Sequence, residues 1–121
     1  MCTVLIAEDE PNIAEALRFL LTRDGYTVAV AGDGENALHA MRAEKPSLVI
    51  LDVMLPKLDG FQVLKELRNA PDLAAMPVVM LTAKGQSQDR KTAEDIGVDV
   101  FVTKPFSNSE VLGHVRRLLN Q

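Results

Sequence analysis

Charged and hydroxyl side chains stand at the ends of short apolar runs in this sequence. Glu8, Asp9 and Glu10 follow residues 4–7, Asp52 closes residues 48–52, Thr82 follows residues 78–81 and Lys104 follows residues 100–103. If these runs lie side by side, their ends gather several carboxylates, one ammonium and one hydroxyl at one edge. Two carboxylates about 4 Å apart repel by roughly 4 kcal/mol at an effective dielectric near 20, so such a pocket calls for a cation or for raised pKa values. Mg²⁺ suits it, being a hard ion that accepts carboxylate, carbonyl and water oxygens and commonly bridges protein carboxylates to phosphate. The Lys104 ammonium and Thr82 hydroxyl then supply a charge and a donor for phosphoryl oxygens. Together these parts suit phosphoryl transfer to a carboxylate, in which positioning and charge neutralisation do most of the catalysis.

Taken singly, each residue has a plainer reading. Asp52 reads as a turn or helix cap, the acidic trio as a favourable charge at a helix start, Thr82 as a loop hydroxyl and Lys104 as a solvated surface charge. Coincidence favours the functional reading, because four separate runs supply complementary groups on the same edge.

The elements that must position these groups show in the alternation of short β-branched runs with longer segments of helical period, the pattern of a parallel sheet covered by helices. Strands are expected at residues 4–7, 27–31, 48–52, 78–81 and 100–103. Before the second strand, Ile13, Ala16, Leu17, Leu20 and Leu21 form an apolar stripe, with Pro11 in the first turn. The last segment repeats the stripe at Val111, Val115, Leu118 and Leu119 behind Ser107 and Glu110, which have capping-box spacing. Ala37, Leu38 and Met41 mark the second helix, and Phe61, Leu64 and Leu67 the third. Residues 88–95 are mostly polar and give the weakest helical signal. Asp33-Gly34 and Asp59-Gly60 read as turn chemistry. The expected fold is α/β, a doubly wound five-stranded parallel sheet of order 2-1-3-4-5, flavodoxin-like, with residues 1–121 as a single domain. In that order the first and third strands are neighbours at the topological switch point, so Asp9 and Asp52 face each other across the crevice.

Composition narrows the function classes. The chain has 121 residues, 47% hydrophobic and 25% charged, which is ordinary for one folded domain. Cys2 is the only cysteine, so no intrachain disulfide or multi-cysteine metal site forms, in keeping with a cytoplasmic location. No run is long enough for a membrane helix. The net charge of −4 argues against direct nucleic-acid binding. His39 and His114 lie within helical segments away from the rim and read as ordinary exposed histidines.

This set of residues closely resembles the CheY-like receiver domains of two-component response regulators, over essentially the whole chain. The marks are Val4-Leu5-Ile6-Ala7-Glu8-Asp9-Glu10-Pro11-Asn12, Leu51-Asp52-Val53-Met54-Leu55-Pro56 with Asp59-Gly60, Leu81-Thr82-Ala83 and Thr103-Lys104-Pro105-Phe106. The resemblance implies that Asp52 takes phosphate from the phosphohistidine of a sensor histidine kinase or histidine phosphotransfer protein. By the same resemblance Glu8, Asp9, Asp52 and the Met54 backbone carbonyl arrange Mg²⁺, and Thr82 and Lys104 bind the phosphoryl oxygens. Lys104-Pro105 is expected to be cis. Thr82 and Phe101 are implied as the switch pair, reshaping the surface of the fourth helix, fifth strand and fifth helix. Structurally, Phe101 reads equally as a plain core residue. A downstream protein or fused output module, and a phosphorylation-dependent homodimer, are the implied partners.

Some positions depart from the commonest pattern. Glu8 stands where aspartate is more usual. Asp99-Val100-Phe101 and Gly113-His114 replace the Asp-Asp-Tyr and Ala-Arg of receivers joined to winged-helix DNA-binding modules, leaving Arg116 and Glu110 as candidate dimer contacts. Met54 and Lys84 occupy positions that tune phosphate lifetime in this family. Three rival readings exist: a degenerate receiver acting as a scaffold, a haloacid-dehalogenase-type phosphatase and a flavodoxin-like nucleotide binder. The phosphatase would carry Asp-x-Asp after the first strand, and the binder would avoid three carboxyl groups there.

Overall fold

Runs in which both alternating sets of side chains are apolar can be buried on both faces, and five such runs build a parallel sheet here. The computed structural model describes residues 3–83 and 87–119, so Cys2 and Lys84 lie outside the described residues. The strands are β1 (Thr3–Ala7), β2 (Thr27–Ala31), β3 (Leu48–Asp52), β4 (Val78–Thr82) and β5 (Val100–Thr103), all parallel in the order β2-β1-β3-β4-β5. The helices are α1 (Pro11–Arg23), α2 (Gly34–Glu44), α3 (Gly60–Asn69), α4 (Ser87–Ile96) and α5 (Asn108–Leu118). The fold is the expected doubly wound one. Thr82, expected just past its strand, is instead the last residue of β4, paired with Thr103.

The two faces carry separate cores. Leu5, Ala7, Val49, Leu51, Val78 and Met80 pack against α2, α3 and α4, while Val4, Ile6, Leu48, Ile50, Val79, Leu81 and Val102 pack against α1 and α5. All five positions of β3 are buried, as befits the central strand. In α1 the buried set is Ala14, Leu17, Leu20 and Leu21. Ala16, expected in the stripe, faces solvent, because the sheet-facing arc is centred on Leu17 and Leu21 and reaches back to Ala14.

Asp33 and Asp59, read from sequence as turn residues, are helix N-caps. The Asp33 carboxylate accepts the Asn36 N–H at 2.8 Å, and Asp59 with Gln62 forms a reciprocal capping box. The glycines that follow are needed for close approach rather than for a turn. A Cβ on Gly34 would lie 2.0 Å from the Leu58 carbonyl oxygen, and one on Gly60 would lie 2.4 Å from that of Asp52. Ser107 caps α5, accepting the Glu110 N–H at 3.1 Å.

Arg68 ties the edge opposite the carboxyl ends of the strands. Its guanidinium donates to the carbonyls of Gly97, Ala74 and Met76 and to Asp99, which also accepts the Val78 N–H. Arg116, a candidate dimer contact by sequence, pairs with Asp24 of the same chain at 2.6 Å, joining α5 to the end of α1.

Candidate functional site

Parallel pairing brings the carboxyl ends of β1, β3, β4 and β5 to one edge. Ala7 is level with Leu51 and Asp52 with Leu81, so the residues just after β1 meet the end of β3. The topology therefore places Glu8, Asp9 and Asp52 together, with one oxygen from each lying within 4.8 Å of the others. Glu8 and Asp52 are each only 2% exposed, whereas Asp9 is open to solvent.

Lys104 completes the cluster from the loop after β5. Its Nζ donates to Asp52 Oδ2 at 3.0 Å and lies 3.2 Å from Glu8 Oε1 and 3.9 Å from Glu10 Oε1. Burial works against the ammonium charge, but the hydrogen bond and charge of Asp52, aided by Glu8, hold its pKa above the usual lysine value. The Lys104-Pro105 bond is cis, as expected. Asp52 Oδ1 accepts the Met54 N–H at 3.2 Å, and the Met54 side chain points outward, 72% exposed.

Glu8 is the most strained member electrostatically. Burial, then a hydrogen bond and the charge of Asp52, raise its pKa from 4.5 to about 7, against the Glu10 N–H and Lys104, which favour the ionised form. As a carboxylate its Oε2 accepts the Glu10 N–H at 3.1 Å, while its Oε1 is buried with no aligned donor. Its cationic neighbour is the Lys104 ammonium, 3.2 Å away and shared with Asp52 and Glu10, so a hard cation would supply the positive charge that this group of carboxyl oxygens lacks. The residues present therefore fit a divalent metal.

Thr82 is buried beside the cluster, but its hydroxyl donates to Asp89 Oδ2 in the first turn of α4, at 3.1 Å. The sequence signals Asp89 only as a carboxylate seven residues after Thr82, in the segment whose helical pattern is weakest. Phe101 lies away from the acidic cluster, half-buried against the core shared with α4, with the Arg90 guanidinium carbon 5.0 Å from its ring centre. His39 is exposed as expected. His114 is half-buried, its Nδ1 2.9 Å from Arg117 Nη2, in a groove with Arg90, Val98 and Phe101.

The chain matches the family model described as "Response regulator receiver domain" over residues 4–116. It is 44% identical over 118 residues to the alkaline phosphatase synthesis transcriptional regulatory protein PhoP of Bacillus subtilis (strain 168), covering 98% of this chain and 48% of that protein. The chain thus spans about half the length of that relative. A putative response regulator from Chloroflexus aurantiacus J-10-fl superposes with a TM-score of 0.95 at 33% identity, covering 99% of this chain and 98% of the other. The receiver domain of the sensor histidine kinase PA1611 from Pseudomonas aeruginosa PAO1, which has a magnesium ion coordinated in its active site cleft, superposes with a TM-score of 0.91 at 26% identity, covering 99% and 98%.

Proposed function

We propose that this chain, which belongs to the response regulator receiver domain family, is a single phosphoacceptor domain over residues 1–121 that receives a phosphoryl group on Asp52. The donor would be the phosphohistidine of a sensor histidine kinase or histidine phosphotransfer protein. The observation that carries this reading is the ion pair between Lys104 Nζ and Asp52 Oδ2, 3.0 Å apart in a largely buried acidic pocket. A carboxylate held there is oriented by Lys104 on one oxygen and the Met54 N–H on the other. That orientation presents it for in-line attack on phosphorus.

In the transfer, an Asp52 oxygen forms the new P–O bond as the P–N bond to the donor imidazole breaks. The leaving nitrogen keeps the electron pair and takes a proton from solvent. Lys104 would follow the charge from the carboxylate to a phosphoryl oxygen, and the Thr82 hydroxyl, which donates to Asp89 in this structure, would turn to donate to another. The carboxyl oxygens of Glu8, Asp9 and Asp52 suit Mg²⁺, with the Met54 main-chain carbonyl as the further ligand that the family resemblance implies; the ion's charge would neutralise phosphoryl oxygens and hold donor and acceptor together.

Phosphorylation adds about 1.5 to 2 negative charges and strong acceptors, which suffices to bias a two-state element. Thr82 and Phe101 would be that element, changing the face of α4, β5 and α5 that carries the groove of Arg90, Phe101, His114 and Arg117. The output would be a downstream protein or a fused module, or a phosphorylation-dependent homodimer. Transcriptional control is the natural candidate, since the PhoP relative is a transcriptional regulatory protein twice as long. The domain itself would bind neither nucleic acid nor membrane and would act in the cytoplasm. It would catalyse only its own phosphorylation and slow dephosphorylation. Among the described residues no helix is long and apolar enough to cross a membrane.

The test is incubation with acetyl phosphate and Mg²⁺, read by intact mass, beside an Asp52→Asn variant and an EDTA control. Gain of one phosphoryl group, lost in both controls, is expected. Labelling that persists in Asp52→Asn would remove Asp52 as the acceptor.

A further inference from the structure

A threonine hydroxyl has one proton to donate, so it can serve only one acceptor at a time. In this structure Thr82 gives that proton to Asp89 Oδ2, at 3.1 Å. The next residue, Arg90, lies over the Phe101 ring, 5.0 Å from its centre. Two consecutive side chains at the start of α4 therefore engage Thr82 and Phe101. These two residues project from adjacent strands toward the same face of the sheet, since Met80 is level with Phe101 and Thr82 with Thr103. Thr82 and Asp89 also line a crevice of about 360 Å³ with Val53, Met54 and Phe61, open to the loop that follows Asp52.

We propose that Asp89 and Arg90 form a built-in brake that holds the domain in its unphosphorylated conformation. The inference rests on the reading of Asp52 as phosphoacceptor and of Thr82 and Phe101 as the switch. Asp89 is the competitor of a phosphoryl group for the Thr82 proton. The Thr82–Asp89 bond must break before Thr82 can donate toward Asp52. Arg90 adds a cation–π contact to the Phe101 ring that must be lost when the ring turns inward. Because both residues sit on one helical turn, movement of α4 that releases one also loosens the other. Asp89 and Arg90 are thus positioning residues; neither touches the reacting atoms. Loss of one charged acceptor shifts a two-state equilibrium by about tenfold.

The experiment uses the protein labelled with 3-fluorophenylalanine, the Phe101 signal being assigned with Phe101→Leu. The ring resonance is recorded before and after acetyl phosphate with Mg²⁺ for wild type, Asp89→Ala, Asp89→Asn, Arg90→Ala and the double alanine variant. In Asp89→Ala without phosphate the resonance is expected to move toward the phosphorylated position, with labelling several-fold faster. Asp89→Asn, which keeps an acceptor oxygen, should fall between it and wild type. The double variant should move the resonance by less than the sum of the single shifts. A helix that has merely frayed would instead move the signal toward its position in urea, which would overturn the brake. If wild type labels on Asp52 yet Asp89→Ala matches it in both resonance and rate, the brake is wrong and the phosphoacceptor stands. If wild type does not label at all, the underlying reading fails first.

Discussion

Gly60, the first residue of α3, sits so close to Asp52 that a Cβ on it would lie 2.4 Å from the Asp52 carbonyl oxygen and 2.8 Å from the Val53 Cα. The helix start is held there by the Gly60 N–H, which donates to the Val53 carbonyl at 2.8 Å. Gly60→Ala must push backbone against backbone, so it is expected to destabilise the fold by about 1–3 kcal/mol and to slow phosphorylation of Asp52. Gly113, in α5, has open space for 4 Å around the point where a methyl would stand, and no positive φ. Gly113→Ala is expected to stabilise by about 0.5–1 kcal/mol. Urea denaturation of both variants checks the pair, and an equal effect from the two would contradict the packing account.

Arg68 should matter for stability but not for phosphate acceptance. Its side chain is 17% exposed and donates to three carbonyls and to Asp99, at the sheet edge opposite Asp52. Arg68→Ala is expected to cost about 2–3 kcal/mol, because it leaves Asp99 and partly buried carbonyls short of donors. Thermal unfolding and acetyl phosphate labelling, run well below the transition, separate the two effects. Normal stability in the variant would show that water replaces the guanidinium.

The raised pKa of Glu8 has a definite sign for stability. Folded Glu8 holds its proton up to about 7, while the unfolded side chain releases it near 4.5. Between these values the folded state binds more protons, so metal-free protein is expected to lose stability as pH rises from about 4.5 to 7, by at most about 3 kcal/mol. Asp24, whose pKa Arg116 lowers, acts in the opposite sense and below that window. Denaturation in EDTA at pH 5 and pH 8 should show the loss in wild type and its near absence in Glu8→Gln. The same slope in both would assign it elsewhere.

Metal binding should release the same proton. A cation bound by Glu8 requires its carboxylate form, so Mg²⁺ titration near pH 6 is expected to expel close to one proton, and far less at pH 8. Calorimetry in two buffers of different ionisation enthalpy measures this directly. Glu8→Gln should bind Mg²⁺ more weakly and release no proton at either pH. Proton release unchanged in the variant would mean that another group supplies it.

Local period and residue type were enough to place the five strands, the helices and the edge where polar groups gather. Apolar alternation and strand-end charges are properties of neighbours along the chain. The candidates Glu8, Asp9, Asp52, Thr82 and Lys104 all occupy that edge, because parallel pairing must align the carboxyl ends of strands that run the same way. Other features depend on which segments pack together. Only the sheet's orientation against α1 decided that Ala14 rather than Ala16 is buried, and only the approach of Leu58 and Asp52 explains Gly34 and Gly60. The Arg68 tie spans 31 residues to Asp99, and the Arg116 pair spans 92 to Asp24, separations at which no periodicity signals contact. Residue types at the strand ends were thus enough to bring the carboxylates, Thr82 and Lys104 to one edge, but not to show that Asp89 of α4 joins them. Their energies were decided by the tertiary structure, because burial of Glu8, the reach of Lys104 and the turn of Thr82 toward Asp89 depend on desolvation and on distances between chain segments far apart in sequence.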